Sequence, residues 1–357
     1  MSNSYELFVR SQGGGYCVTI GESTFSRVLE TGSDVVVADR YFEPLLRATE
    51  VPVVYVDADE KHKTLVGAEE LIIGCFEAGA RRGSRLLAIG GGVVQDLATL
   101  VSSLYMRGLP WSYAPTTLMA MADSCVGGKS SINAGSVKNL VGNIYPPASI
   151  TIDPMFLKTL SVEDLVGGFS EAVKICFCRG SSSFEDHLDH FGAFEQSSDH
   201  AAALLHHVLS AKQWFVEVDE FDKKERRLLN FGHTFGHALE SATTFSVSHG
   251  VGVAVGMLCA VNFAMTRTAL GDGARLLAAH TRHLLERVPE LGPRLRELDI
   301  VAFERSFRGD KKHRDGEFRL ILPARQGGVE EVGIPAGEIE MGAVLDALMQ
   351  SVSEVAG

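Results

Sequence analysis

From residue 34 to residue 101 the chain alternates short apolar runs with stretches of helical spacing, and that alternation constrains it to an α/β layer built on a largely parallel sheet. The runs are Asp34-Val35-Val36-Val37-Ala38, Val51-Pro52-Val53-Val54-Tyr55-Val56 and Arg85-Leu86-Leu87-Ala88-Ile89, and Glu69 to Arg82 is spaced as a helix between two of them. From about Ser161 the period lengthens. Ala201 to Val218, Thr234 to Thr244 and Ala274 to Val288 read as amphipathic helices, the last stopped by Pro289. The change of period predicts two domains, residues 1–160 as the α/β part and 161–357 as a mostly α-helical part, and 357 residues suffice for two cores.

Ile89-Gly90-Gly91-Gly92-Val93-Val94-Gln95-Asp96 ends a strand and opens a helical pattern through Leu97, Leu100 and Val101. Glycines at such a turn let backbone N–H groups approach a phosphate, and the helix N-terminus adds partial positive charge, so a dinucleotide pyrophosphate fits there. The run is not the GxGxxG fingerprint, and a tight structural turn uses the same residues. Asp39, at the end of an early strand, suits a ribose hydroxyl or equally a turn or helix cap.

The segments Tyr105-Met106-Arg107-Gly108, Pro115-Thr116-Thr117, Asp123 to Lys129 and Lys138-Asn139 set cations, hydroxyls and glycines among apolar neighbours, which points to a pocket for a phosphorylated ligand. Asn230-Phe231-Gly232-His233-Thr234-Phe235-Gly236-His237-Ala238-Leu239-Glu240 puts His233 and His237 one helical turn apart, where both can meet one metal ion. The glutamate of an HExxH protease motif is missing between them. His249 follows, and Glu171 with Lys174 lies upstream on a helical pattern. A glutamate with two or three histidines is a ligand set for a divalent cation that keeps open positions.

Charge excludes one broad class. A formal net charge of -12 does not suit a general nucleic-acid binder, which neutralises phosphates with surplus Lys and Arg. The first residues carry neither a basic nor an apolar leader segment, which predicts a cytoplasmic protein. Gly250 to Met265 is too short and too glycine-rich for a membrane span and reads as a buried helix. The six cysteines show no paired spacing and read as reduced packing residues.

Taken in order, Gly90 to Asp96, Tyr105 to Gly108, Pro115-Thr116-Thr117-Leu118, Asp123-Ser124 with Gly127-Gly128-Lys129, Lys138-Asn139, Glu171-Ala172-Val173-Lys174 and Leu229 to His237 resemble 3-dehydroquinate synthase, over a stretch from about Asp34 to Pro323. The resemblance implies an N-terminal NAD-binding α/β domain, a helical C-terminal domain that carries the metal, and a homodimer. It implies Glu171, His233 and His249 as ligands of Zn2+ or Co2+, with His237 left to contact substrate or water. NAD would be held by Asp39, Glu60, Lys63, Gly90, Gly91, Gly92, Asp96, Thr116 and Thr117. Arg107 from a second subunit, Lys129, Lys138, Asn139 and Lys311 or Lys312 would grip the substrate phosphate. Lys212 and Arg226 would meet a substrate carboxylate, and Asp123, Lys174 and Asn230 the ring hydroxyls. The implied activity converts the small phosphorylated sugar acid 3-deoxy-arabino-heptulosonate 7-phosphate to 3-dehydroquinate and phosphate, a step of the shikimate pathway to aromatic amino acids. It proceeds by transient oxidation, phosphate elimination, reduction and intramolecular aldol closure.

Two positions depart from the family pattern. Gln95 stands where glycine is usual, and His249-Gly250-Val251-Gly252 replaces His-Gly-Glu-Ala, which removes a carboxylate expected to support the metal site. Related cyclases act on an amino analogue, on sedoheptulose 7-phosphate or on glucose 6-phosphate. The presence of both Lys212 and Arg226 favours a carboxylated substrate, because two buried cations without a partner are costly. Metal-dependent polyol and glycerol phosphate dehydrogenases share the two-domain plan and lack the Gly-Gly-Lys and Lys-Asn segments. A non-catalytic binding protein is disfavoured, since the mapped positions carry competent side chains.

Overall fold

Every apolar run of the first half becomes a strand of one sheet. The computed structural model describes residues 4–30, 32–135 and 137–356. Among them the chain divides into two compact units, 1–160 with 192–221, and 161–191 with 222–357.

In the first unit the strands are β1 (Tyr5–Ser11), β2 (Gly14–Ile20), β3 (Val35–Asp39), β4 (Val53–Val56), β5 (Leu86–Gly90), β6 (Trp111–Pro115), β7 (Ile132–Ala134), β8 (Val137–Val141) and β9 (Ser149–Ile152). Seven of these form a sheet of order β1-β2-β9-β6-β5-β3-β4, and β7 pairs with β8 in a separate ribbon. Only the β1–β2 pairing in that sheet is antiparallel. Val35 to Ala38 and Leu86 to Ile89 are buried throughout, as central parallel strands covered on both faces must be. Chain order reverses between β3 and β5, with β4 outside the first and β6 outside the second. The carboxyl ends of these strands therefore flank a switch point, the usual place for a ligand in an open α/β sheet.

The helix expected over Glu69 to Arg82 spans Leu65–Glu77. It begins four residues early because the Thr64 hydroxyl accepts the Gly67 N–H at 3.2 Å and caps it. Residues 192–221 correct the predicted division of the chain at residue 160. The Ala201–Val218 helix belongs to the first unit, where it packs on β1, with Arg10 N–H donating to Glu217 at 3.0 Å and Gln213 to the Phe8 carbonyl at 2.8 Å. Amphipathic spacing identified this helix without identifying the core that it covers.

The second unit is built around the His249–Met265 helix, in which every residue from Gly250 to Ala264 is buried. Against it lie the helices Val162–Arg179, His233–Ala242, Asp272–Leu285 and Glu338–Ala356. Ser161 starts the first of these with a capping box: its hydroxyl accepts the Asp164 N–H, and the Asp164 carboxylate accepts the Ser161 N–H. Gly256 is required where two helices touch, since a Cβ there would meet the Gly232 carbonyl and, at 2.8 Å, the Gly236 nitrogen. The hairpin β10 (Glu317–Pro323) and β11 (Val329–Pro335) adds strand structure to a half that reads as nearly all helical. Among the described residues no helix is long and apolar enough to cross a membrane. Five of the cysteines are buried free thiols, whereas Cys17 is exposed on β2 and does not fit the packing role expected of it.

Candidate active site

In the first unit the glycine turn joins β5 to the Gly92–Leu104 helix, with Gly91 as its N-cap. No side chain caps this end, no acidic residue sits in its first turn, and a Cβ on Gly92 would meet nothing within 4 Å. An uncapped helix N-terminus with open space beside Gly92 suits a phosphate, so the turn fits a dinucleotide pyrophosphate. Asp39 ends β3, Thr116 follows β6 with its N–H on the Gly90 carbonyl at 3.0 Å, and Thr117 caps the next turn by accepting the Ala120 N–H at 3.3 Å. Asp39 also accepts the Tyr41 N–H at 3.0 Å, so its cap role is present beside any ribose contact.

Lys63 and Asp96 form an ion pair of 2.7 Å with little exposure of either side chain. Burial pushes the Asp96 carboxyl up, against the pull of Lys63. The same ammonium donates to the Asn139 side-chain oxygen at 3.0 Å. Asn133, which sequence reasoning passed over, links this set: its amide donates to the Glu60 carboxylate at 2.8 Å and its oxygen accepts the Asn139 N–H at 2.9 Å. Only the fold makes residues 60, 63, 96, 133 and 139 neighbours.

Lys129 is half-buried, and Lys138 and Asn139 are exposed on β8. Arg107 is exposed, and both it and Met106 adopt left-handed backbone angles, φ 73° and 47°, which cost non-glycine residues about 1 kcal/mol or more each. Asp123 lies in a wide turn, Ala120–Ser124, whose carboxylate and main-chain carbonyl both meet the buried Lys212 ammonium. Lys212 therefore already has an anionic partner. It is not the uncompensated buried cation that the sequence suggested as a partner for a substrate carboxylate.

In the second unit Glu171 and Lys174, three residues apart on one helix, are buried as an ion pair through one carboxylate oxygen. The other oxygen lies 3.7 Å from His233 Nε2 and 3.7 Å from His249 Nε2. Both Nδ1 atoms are turned away: that of His233 is 3.3 Å from the Phe231 carbonyl and that of His249 is 2.9 Å from the Glu240 carboxylate. Each contact favours a proton on Nδ1 and a lone pair on Nε2, the tautomer a metal ligand requires. Ligand atoms about 2.0–2.2 Å from a tetrahedral zinc are separated by about 3.3–3.6 Å, so each of the two nitrogens stands within tenths of an ångström of the separation from the Glu171 oxygen that a shared ion needs.

His237 joins the group, and the ligand atoms of the three imidazoles all lie within 4.8 Å of one another. Burial, reinforced by Lys174 and the other two rings, holds His233 well below the usual histidine range and thus neutral. Burial disfavours a charge on His249, but the bond to Glu240 and the negative charges of Glu240 and Glu171 together outweigh that and raise it. Glu240 answers the expected loss at Val251. Val251 is buried in the helix core, while the carboxylate of Glu240, nine positions before His249, meets that histidine. Sequence spacing gave no sign of this pairing across two helices.

Asn230 half-buries its side chain and donates to the Arg227 carbonyl at 2.9 Å, and Arg226 is buried. Of the two lysines left open, Lys311 is exposed, whereas Lys312 is half-buried with its ammonium 2.7 Å from Asp310.

The chain matches two family models, 3-dehydroquinate synthase N-terminal over residues 53–167 and 3-dehydroquinate synthase C-terminal over residues 168–313. It is 38% identical over 273 residues to a 3-dehydroquinate synthase of Leuconostoc citreum (strain KM20), covering 76% of this chain and 74% of that protein. Among solved structures it resembles 2-epi-5-epi-valiolone synthase from Streptomyces hygroscopicus subsp. jinggangensis 5008, which has NAD+ and Zn2+ bound, at 25% identity and a TM-score of 0.78 over 94% of this chain and 97% of that one. A 2-deoxy-scyllo-inosose synthase solved with carbaglucose-6-phosphate, NAD+ and Co2+ shares the fold at 20% identity, TM-score 0.80, over 97% and 99% of the two chains.

Proposed function

The chain belongs to the 3-dehydroquinate synthase family, and from that premise we propose that it is the cyclase that converts 3-deoxy-arabino-heptulosonate 7-phosphate to 3-dehydroquinate and phosphate with NAD and a divalent cation. The observation that carries the reading is the convergence of one Glu171 oxygen with two Nε2 atoms, each 3.7 Å away, while Lys174 neutralises the other oxygen. Glu171, His233 and His249 hold Zn2+ or Co2+ in this reading, and His237 is left to a water or substrate hydroxyl. When bound, the nicotinamide supplies a reversible hydride acceptor and the cation a Lewis acid beside a substrate hydroxyl.

The chain's own residues bind, orient and carry charge. The uncapped turn at Gly90, Gly91 and Gly92, with Asp39, Glu60, Lys63, Asp96, Thr116 and Thr117 around it, holds the dinucleotide. Lys129, Lys138, Asn139, Lys312 and a second subunit's Arg107 hold the phosphate that leaves. Asp123, Lys174 and Asn230 hold ring hydroxyls, and Arg226 with Lys212 meets the carboxylate. Since Lys212 is paired with Asp123, the choice of a carboxylated sugar rests on the family relation and not on a lysine without a counter-ion. The phosphate group of the substrate can take the proton itself, so the protein's contribution is placement and electrostatics. The reading includes a homodimeric, cytoplasmic carbon–oxygen lyase.

Its test is dependence on both cofactors without net redox. Dialysis against a chelator should abolish phosphate release and zinc or cobalt should restore it, with no NADH accumulating. A steady build-up of NADH would instead identify a dehydrogenase.

A further inference from the structure

The side chain of Gln95, one of the two departures from the family pattern, is buried in the first turn of the helix that follows the glycine turn. Its amide nitrogen donates to the Ser124 carbonyl at 2.7 Å, and its oxygen accepts from the Ser124 hydroxyl at 2.6 Å. A carbonyl can only accept, so the pair of contacts fixes which way the amide points. Ser124 closes the wide turn Ala120–Ser124, where the Cys125 N–H reaches back to the Ala120 carbonyl at 3.1 Å. No helix continues past this turn to supply the Ser124 carbonyl with a donor, and Gln95 supplies one. The preceding residue is Asp123, whose carboxylate and main-chain carbonyl meet the Lys212 ammonium.

We propose that Gln95 is a positioning residue: by clamping both polar groups of Ser124 it fixes the Asp123–Lys212 pair against the helix that carries the glycine turn. This deepens the functional reading and rests on it where substrate is concerned, because Asp123 is there assigned to a ring hydroxyl. Glycine at position 95 offers no side chain to either group of Ser124. A displacement of about 1 Å in a group that orients substrate costs up to about 100-fold in rate, and loss of a clamp beside that group gives about tenfold.

The test compares Gln95→Met, which keeps the volume and removes both bonds, with the milder Ser124→Ala, which removes the hydroxyl bond alone. Amide hydrogen exchange over residues 120–126, NAD affinity and steady-state phosphate release are measured on each full-length variant. In Gln95→Met, exchange over 120–126 should rise about tenfold, kcat should fall about tenfold with KM changing less, and NAD affinity should stay within about twofold of the parent. Ser124→Ala should show a smaller loss, and adding it to Gln95→Met should cost less than it costs alone, the signature of coupled groups. Unchanged exchange over 120–126 in Gln95→Met, or a fall in NAD affinity that matches the fall in kcat, overturns the inference. If the parent releases no phosphate from the heptulosonate phosphate, the functional reading fails by itself, and the exchange result still decides whether Gln95 fixes the turn.

Discussion

Removing the Glu240 carboxylate should weaken zinc binding without touching a proposed ligand. Glu240 is little exposed and lies 2.9 Å from His249 Nδ1. It favours the tautomer that presents Nε2 and makes the ring a better donor. Loss of such an outer partner costs about 10- to 100-fold in metal affinity, or about 1.4 to 2.7 kcal/mol. The His249 side chain is 38% exposed, which screens the charge and places Glu240→Ala toward the lower end, about 10- to 30-fold. Glu240→Gln keeps an accepting oxygen at the same reach and should lose about threefold to tenfold. Competition against a chromophoric chelator measures the affinity, with circular dichroism to verify that both variants fold. Zinc affinity within about twofold of the parent for Glu240→Ala would refute the argument that this carboxylate supports the site.

Other positions give independent tests. His237→Ala should retain zinc within about fivefold, because the assigned ligands are intact, and a loss near 100-fold in the same competition assay would make His237 a ligand. Lys63→Met strips the Asp96 carboxylate of a partner at 2.7 Å and should weaken NAD binding about tenfold and lower stability by about 2 kcal/mol, read by calorimetric titration and urea denaturation. Gly256→Ala places a methyl group on the Gly232 carbonyl and should destabilise the second unit by about 2 kcal/mol or more, seen as a lower thermal midpoint. Burial favours the neutral form of Glu163, but bonds from Arg294 at 3.1 and 3.2 Å and from Ser248 together prevail and lower its carboxyl below the usual range. The stability this pair contributes is therefore present above the ordinary glutamate range and is lost as pH falls through the lowered value. Glu163→Gln should lie about 1 kcal/mol below the parent near neutrality and converge with it in acid, which thermal melts against pH will show.

The parallel sheet and its glycine turn were legible because β-branched runs and a tight turn are local signals, and the Ala201–Val218 helix was predicted to its end residues. Where that helix packs was not legible, since an amphipathic face says that it is covered and not by what. The metal site divides in the same way. His233 and His237 are four residues apart and announce themselves, whereas Glu171 and His249 arrive from two other helices, were candidates by residue type alone, and were set above His237 only through resemblance to a family. Pairings made by the fold stayed out of reach: Glu240 with His249, Asn133 with Glu60, Gln95 with Ser124, and Asp123 with Lys212. The last matters most, because an apparent excess of buried positive charge in the sequence is partly cancelled within the first unit.

The central claim concerns the substrate, and phosphate release tests it directly. Purified protein with NAD and zinc is given 3-deoxy-arabino-heptulosonate 7-phosphate or sedoheptulose 7-phosphate while NADH is followed. Rapid phosphate release from the carboxylated sugar alone, with no NADH accumulating, is the predicted result. Turnover of sedoheptulose 7-phosphate in its place would contradict the account and assign Arg226 and Lys212 to another task.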